Sequence, residues 1–190
     1  MTKYLSLLLL IATISLGGCG SFLATMQSDT IEDNPGERTL GQQLDDENIE
    51  TKAVVNIHAA DKAFSDAHLI VVAYNGYVLI AGQVQSEALK AKATQVVRDI
   101  RDVRRIYNEL EVSAPSSAMT RTSDTWITAK VKSWLLGSSE IEGGRVKVVT
   151  ENGVVYLMGL ATHAEADRVA ESAADTSGVQ RVVRLFELLD

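Results

Sequence analysis

Trp126, Lys130 and Trp134 stand four residues apart, and on a helix that spacing places them along one side. An indole ring prefers the boundary between hydrocarbon and water. A lysine beside it reaches phosphate while its stem stays on apolar material. The chemistry is that of a membrane surface, or of a protein interface in which tryptophan is a hot spot. Catalytic chemistry has less to work with. His58, His68 and His163 lack paired metal-ligand spacing, and no Ser, His and acid stand in a known nucleophile motif. Gly143-Gly144 precedes a strand with no helix after it, unlike a phosphate loop. The chain therefore reads as a binding protein and not an enzyme, with no cofactor and no metal.

The remaining reactive group is Cys19, the single cysteine. It follows Lys3 and an apolar run from Tyr4 to Ser15, too short to stay in a bilayer as a spanning helix. Leu16-Gly17-Gly18-Cys19 resembles the cleavage box of bacterial lipoproteins. That resemblance implies a signal peptide over residues 1–18 and acyl chains on Cys19. Two chains suffice for stable anchoring, at roughly 0.8 kcal/mol per buried methylene, so a triacylated cysteine holds permanently. Gly20, where a retention signal has Asp, implies a periplasm-facing position on the outer membrane. Loss of residues 1–18 removes Lys3 and no acid, so the net charge moves from −7 to −8. That balance argues against a nucleic-acid partner, which needs a broad cationic footprint.

The elements that must carry the tryptophans come from a repeat. Asn75-Gly76-Tyr77-Val78-Leu79-Ile80-Ala81-Gly82 aligns with Asn152-Gly153-Val154-Val155-Tyr156-Leu157-Met158-Gly159. Asp46, Ile49, Lys52, Ala53 and Ile57 upstream match Asp124, Ile127, Lys130, Val131 and Leu135; Val103, Arg105, Ile106 and Leu110 downstream match Val179, Arg181, Val182 and Phe186. Two tandem units follow. Each reads helix, strand, strand, helix, strand. The first helix is expected to start near Asp46 or Asp124 as an N-cap, with a stripe at every fourth residue. Asn-Gly tolerates positive φ at both positions and predicts a two-residue hairpin. Thr162 and Glu165 have capping-box spacing before the second helix of the second unit, and Gly178 is expected to end it. The fold class is α+β, with each three-stranded mixed sheet covered by two helices on one face. Units under about seventy residues have small cores, and packing on each other is a remedy. The boundaries are a signal at 1–18, a lipidated flexible tether at 19–45, domains at 46–113 and 123–190, and a linker at 114–122.

The unit order, the glycines closing the second strands (Gly82 and Gly159) and the closing strand resemble the BON domain. The stretches Ser123-Asp124-Thr125-Trp126-Ile127-Thr128 and Thr150-Glu151-Asn152-Gly153, with Val155 to Leu160, carry the resemblance best. With the cleavage box they are similar to dual-BON outer-membrane lipoproteins of the DolP (YraP) type. The resemblance implies an αββαβ fold without catalysis and a role in outer-membrane integrity at division sites. It also implies binding of anionic phospholipid (phosphatidylglycerol, cardiolipin) by the second domain. Lipid contacts are then expected at Trp126, Leu136 and Gly159 with its neighbour Leu160, and the outer-membrane protein assembly machinery is an implied partner.

Comparison of the copies points the same way. The positions of Trp126 and Trp134 hold Asn48 and Asn56 in the first unit, so the indoles are not required by the shared fold. An acidic protein meets an anionic bilayer only if its cations are focused. Lys130, Lys132, Arg145 and Lys147 are expected to form such a face, giving weak, salt-sensitive binding. Arg98, Arg101, Arg104 and Arg105, interleaved with Asp99 and Asp102, read as a solvated, salt-bridged helix end. The alternative function is an adaptor whose tryptophan face meets an envelope protein or an outer-membrane assembly complex.

Overall fold

The computed structural model describes residues 36–138 and 143–190. Cys19, the signal and most of the tether lie outside the described residues. The first unit comprises α1 (Leu40–Ala60), β1 (His68–Tyr74), β2 (Tyr77–Val84), α2 (Glu87–Arg98) and β3 (Arg105–Val112). The second comprises α3 (Ala118–Gly137), β4 (Val146–Glu151), β5 (Val154–Ala161), α4 (His163–Ala174) and β6 (Arg181–Leu188). In each sheet the middle strand pairs antiparallel with the first and parallel with the last, orders β1-β2-β3 and β4-β5-β6. The αββαβ expectation holds in both copies.

The helix starts differ from the expectation. Thr39 caps α1 in a capping box with Gln42, and Ser117 caps α3. Residues 40–45 and 118–122 are therefore helical, although the apolar pattern puts them in the tether and linker. These first turns are mostly exposed and carry no stripe, so periodicity is silent there. Asp46 and Asp124 lie well inside the helices, buried, and serve the hairpins instead. Asp46 accepts the backbone N–H of Asn75 and of Gly76, each at 2.8 Å. Asp124 accepts those of Asn152 and Gly153, each at 2.9 Å. The turn residues have the positive φ that a two-residue hairpin needs, 50° and 74° in one copy and 50° and 75° in the other. Gly178 is also at positive φ, but α4 ends earlier, with Asp175 as its cap.

One face of each sheet meets its own helices: Ile49, Ala53, Ile57, Leu89, Ala93 and Val97 cover Val78 and Ile80, and Ile127, Val131, Leu135, Ala166 and Val169 cover Val155 and Leu157. The other faces meet each other. Val72, Tyr74, Leu79 and Ala81 pack with Val154, Tyr156, Met158 and Leu160 in one apolar layer. The described residues thus form a four-layer sandwich, helices outside and two sheets within, and every residue of β5 is buried. Polar ties cross the junction. Buried Gln83 donates to Glu151 at 2.8 Å, His68 lies 3.2 Å from the same carboxylate, and Arg104 pairs with Glu187 at 2.6 Å. The arginine run is therefore not a self-contained ion-paired end: Arg104 reaches the other unit.

Two measurements probe these layers. Asp124→Ala leaves two turn N–H groups without their acceptor, and hydrogen bonds to a charged group are worth about 1.5–3 kcal/mol. Urea unfolding should show a loss of about 2–4 kcal/mol, with Asp124→Asn between the variant and the parent; an unchanged midpoint would remove the clamp from the fold's energetics. Burial between the sheets pushes the Tyr156 phenol up to about 12 from its ordinary 10.0. A raised acid group contributes stability that is complete below pH 10.0 and lost as pH climbs toward 12. Tyr74 shifts the same way, burial being the main cause. The urea midpoint should fall across that window, and fall less in Tyr156→Phe.

Candidate membrane-docking site

Helix α3 buries Asp124, Ile127, Val131 and Leu135. At about 100° per residue, the opposite side carries Met119, Trp126 and Leu136 within an arc of roughly 100°. These side chains point away from the core and are 83%, 66% and 71% exposed. They span eighteen residues, about 25 Å of helix. Trp134 lies further round toward the buried stripe and is 43% exposed. Lys130 sits between the tryptophans, and its ammonium donates to the carbonyl and hydroxyl of Ser177, each at 2.9 Å. The Trp–Lys–Trp line therefore runs obliquely, from the outer face at Trp126 to a flank near the turn after α4. Met119 escapes a reading of the sequence because it falls in the expected linker; the Ser117 cap is the signal that would have found it.

The other expected contacts do not join this face. Gly159 lies within β5, opposite Val146 and Phe186, and a Cβ there would sit 2.7 Å from the carbonyl oxygen of Arg145. The glycine lets the Gly143–Arg145 turn close onto the strand. Leu160, next along β5, points to the other face and is buried between the sheets. Its side chain meets a membrane only if the sheets part, which corrects its placement in the lipid site.

The expected cationic face is not formed either. Arg145 is mostly buried and lies 3.5 Å from Glu165, and Lys147 lies 3.6 Å from Glu50 of the first unit. Lys130 is held at Ser177, while Lys132 projects roughly 120° around the helix from Trp126. Two of the four cations are neutralised, and the two lysines left on α3 diverge. Glu165 is itself held below the ordinary carboxylate range, first by its capping-box bond to the Thr162 backbone. In the first unit, Asn48 donates to the Leu44 carbonyl at 3.0 Å where the second has Trp126. Among the described residues, no group of three or more His, Cys, Asp or Glu side chains stands where it could hold a metal ion, and no helix is long and apolar enough to cross a membrane.

The BON domain family matches residues 45–114 and 123–190. The chain is 35% identical over 190 residues to "Outer membrane lipoprotein DolP" of Haemophilus influenzae, covering 96% of this chain and 95% of that protein. It is 36% identical to the "21 kDa hemolysin" of Actinobacillus pleuropneumoniae, over 78% of this chain and 77% of the relative. "Osmotically-inducible protein Y" of Escherichia coli is 27% identical, over 92% of this chain and 91% of its own length.

Gly159→Ala separates a structural role from a contact role. The added methyl collides with backbone, and overpacking of this kind costs about 1–3 kcal/mol. The urea midpoint should drop accordingly, so any lost membrane binding in this variant would follow from a disturbed fold. A parent-like midpoint would show that Arg145 and β5 part freely.

Proposed function

This chain belongs to the BON domain family, and on that premise we propose that it is a lipid-anchored periplasmic protein of the outer membrane. It docks on anionic phospholipid through the outer face of α3. BON domains are non-catalytic binding modules, and the chain is not an enzyme. The observation that carries the docking reading is the exposure of Met119, Trp126 and Leu136 on one face of α3; α1 also exposes Leu40, Leu44 and Val55 on its outer side, but no aromatic residue. Acyl chains on Cys19 supply the permanent attachment, and the α3 face adds a weak second contact whose effective concentration the tether raises. Its role is positional: it helps to maintain outer-membrane integrity, at division sites, beside the machinery that assembles outer-membrane proteins. The similarity to an outer membrane lipoprotein along nearly the whole chain supports this reading.

Magnitudes decide how the face binds. A tryptophan buries about 150–250 Å². At roughly 25 cal/mol per Å², insertion of the exposed two-thirds of Trp126 is worth about 2–4 kcal/mol. Each lysine near an anionic surface adds about 1 kcal/mol, less when screened. Apolar insertion therefore dominates, and the net charge of the protein opposes approach.

The test uses the chain from Gly20 onward, which keeps both units, with liposomes of rising anionic content. Tryptophan emission should shift to the blue on binding. Raising the salt from low to about 0.5 M, where the Debye length falls to a few ångströms, should change binding only a few-fold, since lysine attraction and net-charge repulsion are screened together. Trp126→Glu should fold normally and bind roughly a hundredfold less, at about 1.4 kcal/mol per tenfold. Normal binding by that variant would sink the reading. Indifference of the parent to every liposome would leave the same face to a protein partner.

A further inference from the structure

The two sheets finish their last strands differently. Ser113 donates to the Val84 carbonyl and Leu189 to the Ala161 carbonyl, each at 3.1 Å, which continues the ladders of β3 on β2 and of β6 on β5. Main-chain groups alternate sides along a strand, so the odd-numbered residues of β3 and β6 bond inward to the sheet. The N–H and C=O groups of Ile106, Asn108, Leu110 and Val112 therefore face the open edge of the first sheet. Those of Val182, Arg184, Phe186 and Leu188 face the open edge of the second.

The first unit blunts this edge. Asn108 reaches from β3 to α2, donating to the Lys90 carbonyl at 2.7 Å and to the Thr94 hydroxyl at 2.6 Å, while its own Oδ1 takes the Leu110 N–H at 3.1 Å. The second unit lacks every part of that device. Counted from the helix caps Ser86 and Thr162, Lys90 and Thr94 become Ala166 and Ala170, and strand register puts Arg184 in the place of Asn108. Arg184 is held aside by Asp167, so it guards the edge by charge without capping it. Among the described residues, the outward N–H groups of β6 have no hydrogen-bond partner. Beside them, between α4 and β6, lies a cleft of about 320 Å³ lined by His163, Ala166, Asp167, Arg184, Phe186 and Leu188.

We propose that this edge and cleft bind an extended polypeptide segment of another protein, which joins the second sheet as a fourth strand beside β6. A row of free donors and acceptors along a strand is matched by another strand, and proteins ordinarily cap or cover such a row. The added strand sets alternate side chains on the α4 side, where Ala166, Phe186 and Leu188 offer an apolar floor. The rim charges are paired, Arg184 with Asp167 and His163 with Asp190, so the segment is read through its backbone and its apolar alternation. Helix α3 packs on β4 and α4 on β6, which puts the edge on the side away from the docking helix. Peptide capture thus stands apart from the membrane reading.

The experiment selects binders to the chain from Gly20 onward out of a displayed library of random eight-residue peptides, and synthesises the strongest. Its apolar residues should alternate, and by NMR it should slow amide exchange at Val182, Arg184, Phe186 and Leu188 at least tenfold. The variant Ala170→Thr, Arg184→Asn rebuilds the cap of the first unit. It should keep the parent's urea midpoint and bind the peptide at least about tenfold less, as loss of two main-chain hydrogen bonds implies. Methylating the peptide nitrogens that face β6 should weaken binding as much, and methylating the alternate set should not; this comparison holds even where the variant folds poorly. Selection of no peptide, protection elsewhere on the chain, or full binding by the capped variant overturns the proposal. Protection of the same four amides in the free chain that rises with protein concentration assigns the edge to a second copy, and overturns it too.

Discussion

Two buried carboxylates, Asp46 and Asp124, hold a helix to a hairpin in each unit, and the rest of the architecture depends on that grip. A two-residue turn at positive φ directs its N–H groups to one side, and a single carboxylate can accept both. The bond fixes where the first helix crosses the sheet and therefore which side chains meet the core. Asp46 has a cation beside it, with Arg38 at 2.5 Å and stacked over Tyr74. Asp124 has no such ion pair among the described residues, so its charge is stabilised by the turn's N–H dipoles. That is enough because hydrogen bonds to an ionised acceptor are about twice as strong as neutral ones.

The second constraint is size. A three-stranded sheet with two helices on one face leaves its other face bare, and a unit of about seventy residues has little core to offset that exposure. Placing the two bare faces together turns both into interior. The repeat therefore completes the fold of each copy, besides supplying a second copy of the binding module.

Much of this was legible in the residues. Asn-Gly marked both hairpins, every-fourth-residue spacing marked the helix stripes, and Thr162 with Glu165 marked a helix start. What stayed hidden has physical causes. The first turns of α1 and α3 are exposed and so leave no pattern, which put Met119 in a linker. The alternation that assigns strand faces vanishes when both faces are buried: Val154 to Ala161 reads as one apolar run. Nothing in that run separates Gly159, on the helix side, from Leu160, between the sheets. Lys147 looked free for a ligand, and Arg104 looked paired within its own run, because their acids, Glu50 and Glu187, belong to the opposite unit.

The shared layer also bears on how the two halves have been able to change. A duplicated module usually leaves one copy free to drift, yet here every inward residue of β5 is a neighbour of the other copy. A substitution there must suit two partners at once. The copies do differ there, with Tyr77, Leu79 and Ala81 standing opposite Val154, Tyr156 and Met158 in the alignment, so the two faces are complementary and not identical; on the outer helices, Asn48 opposite Trp126 answers to solvent alone. The sandwich thus makes the halves interdependent: each inner face is fitted to the other, while the exposed rind can take up a new specificity without unsettling that fit.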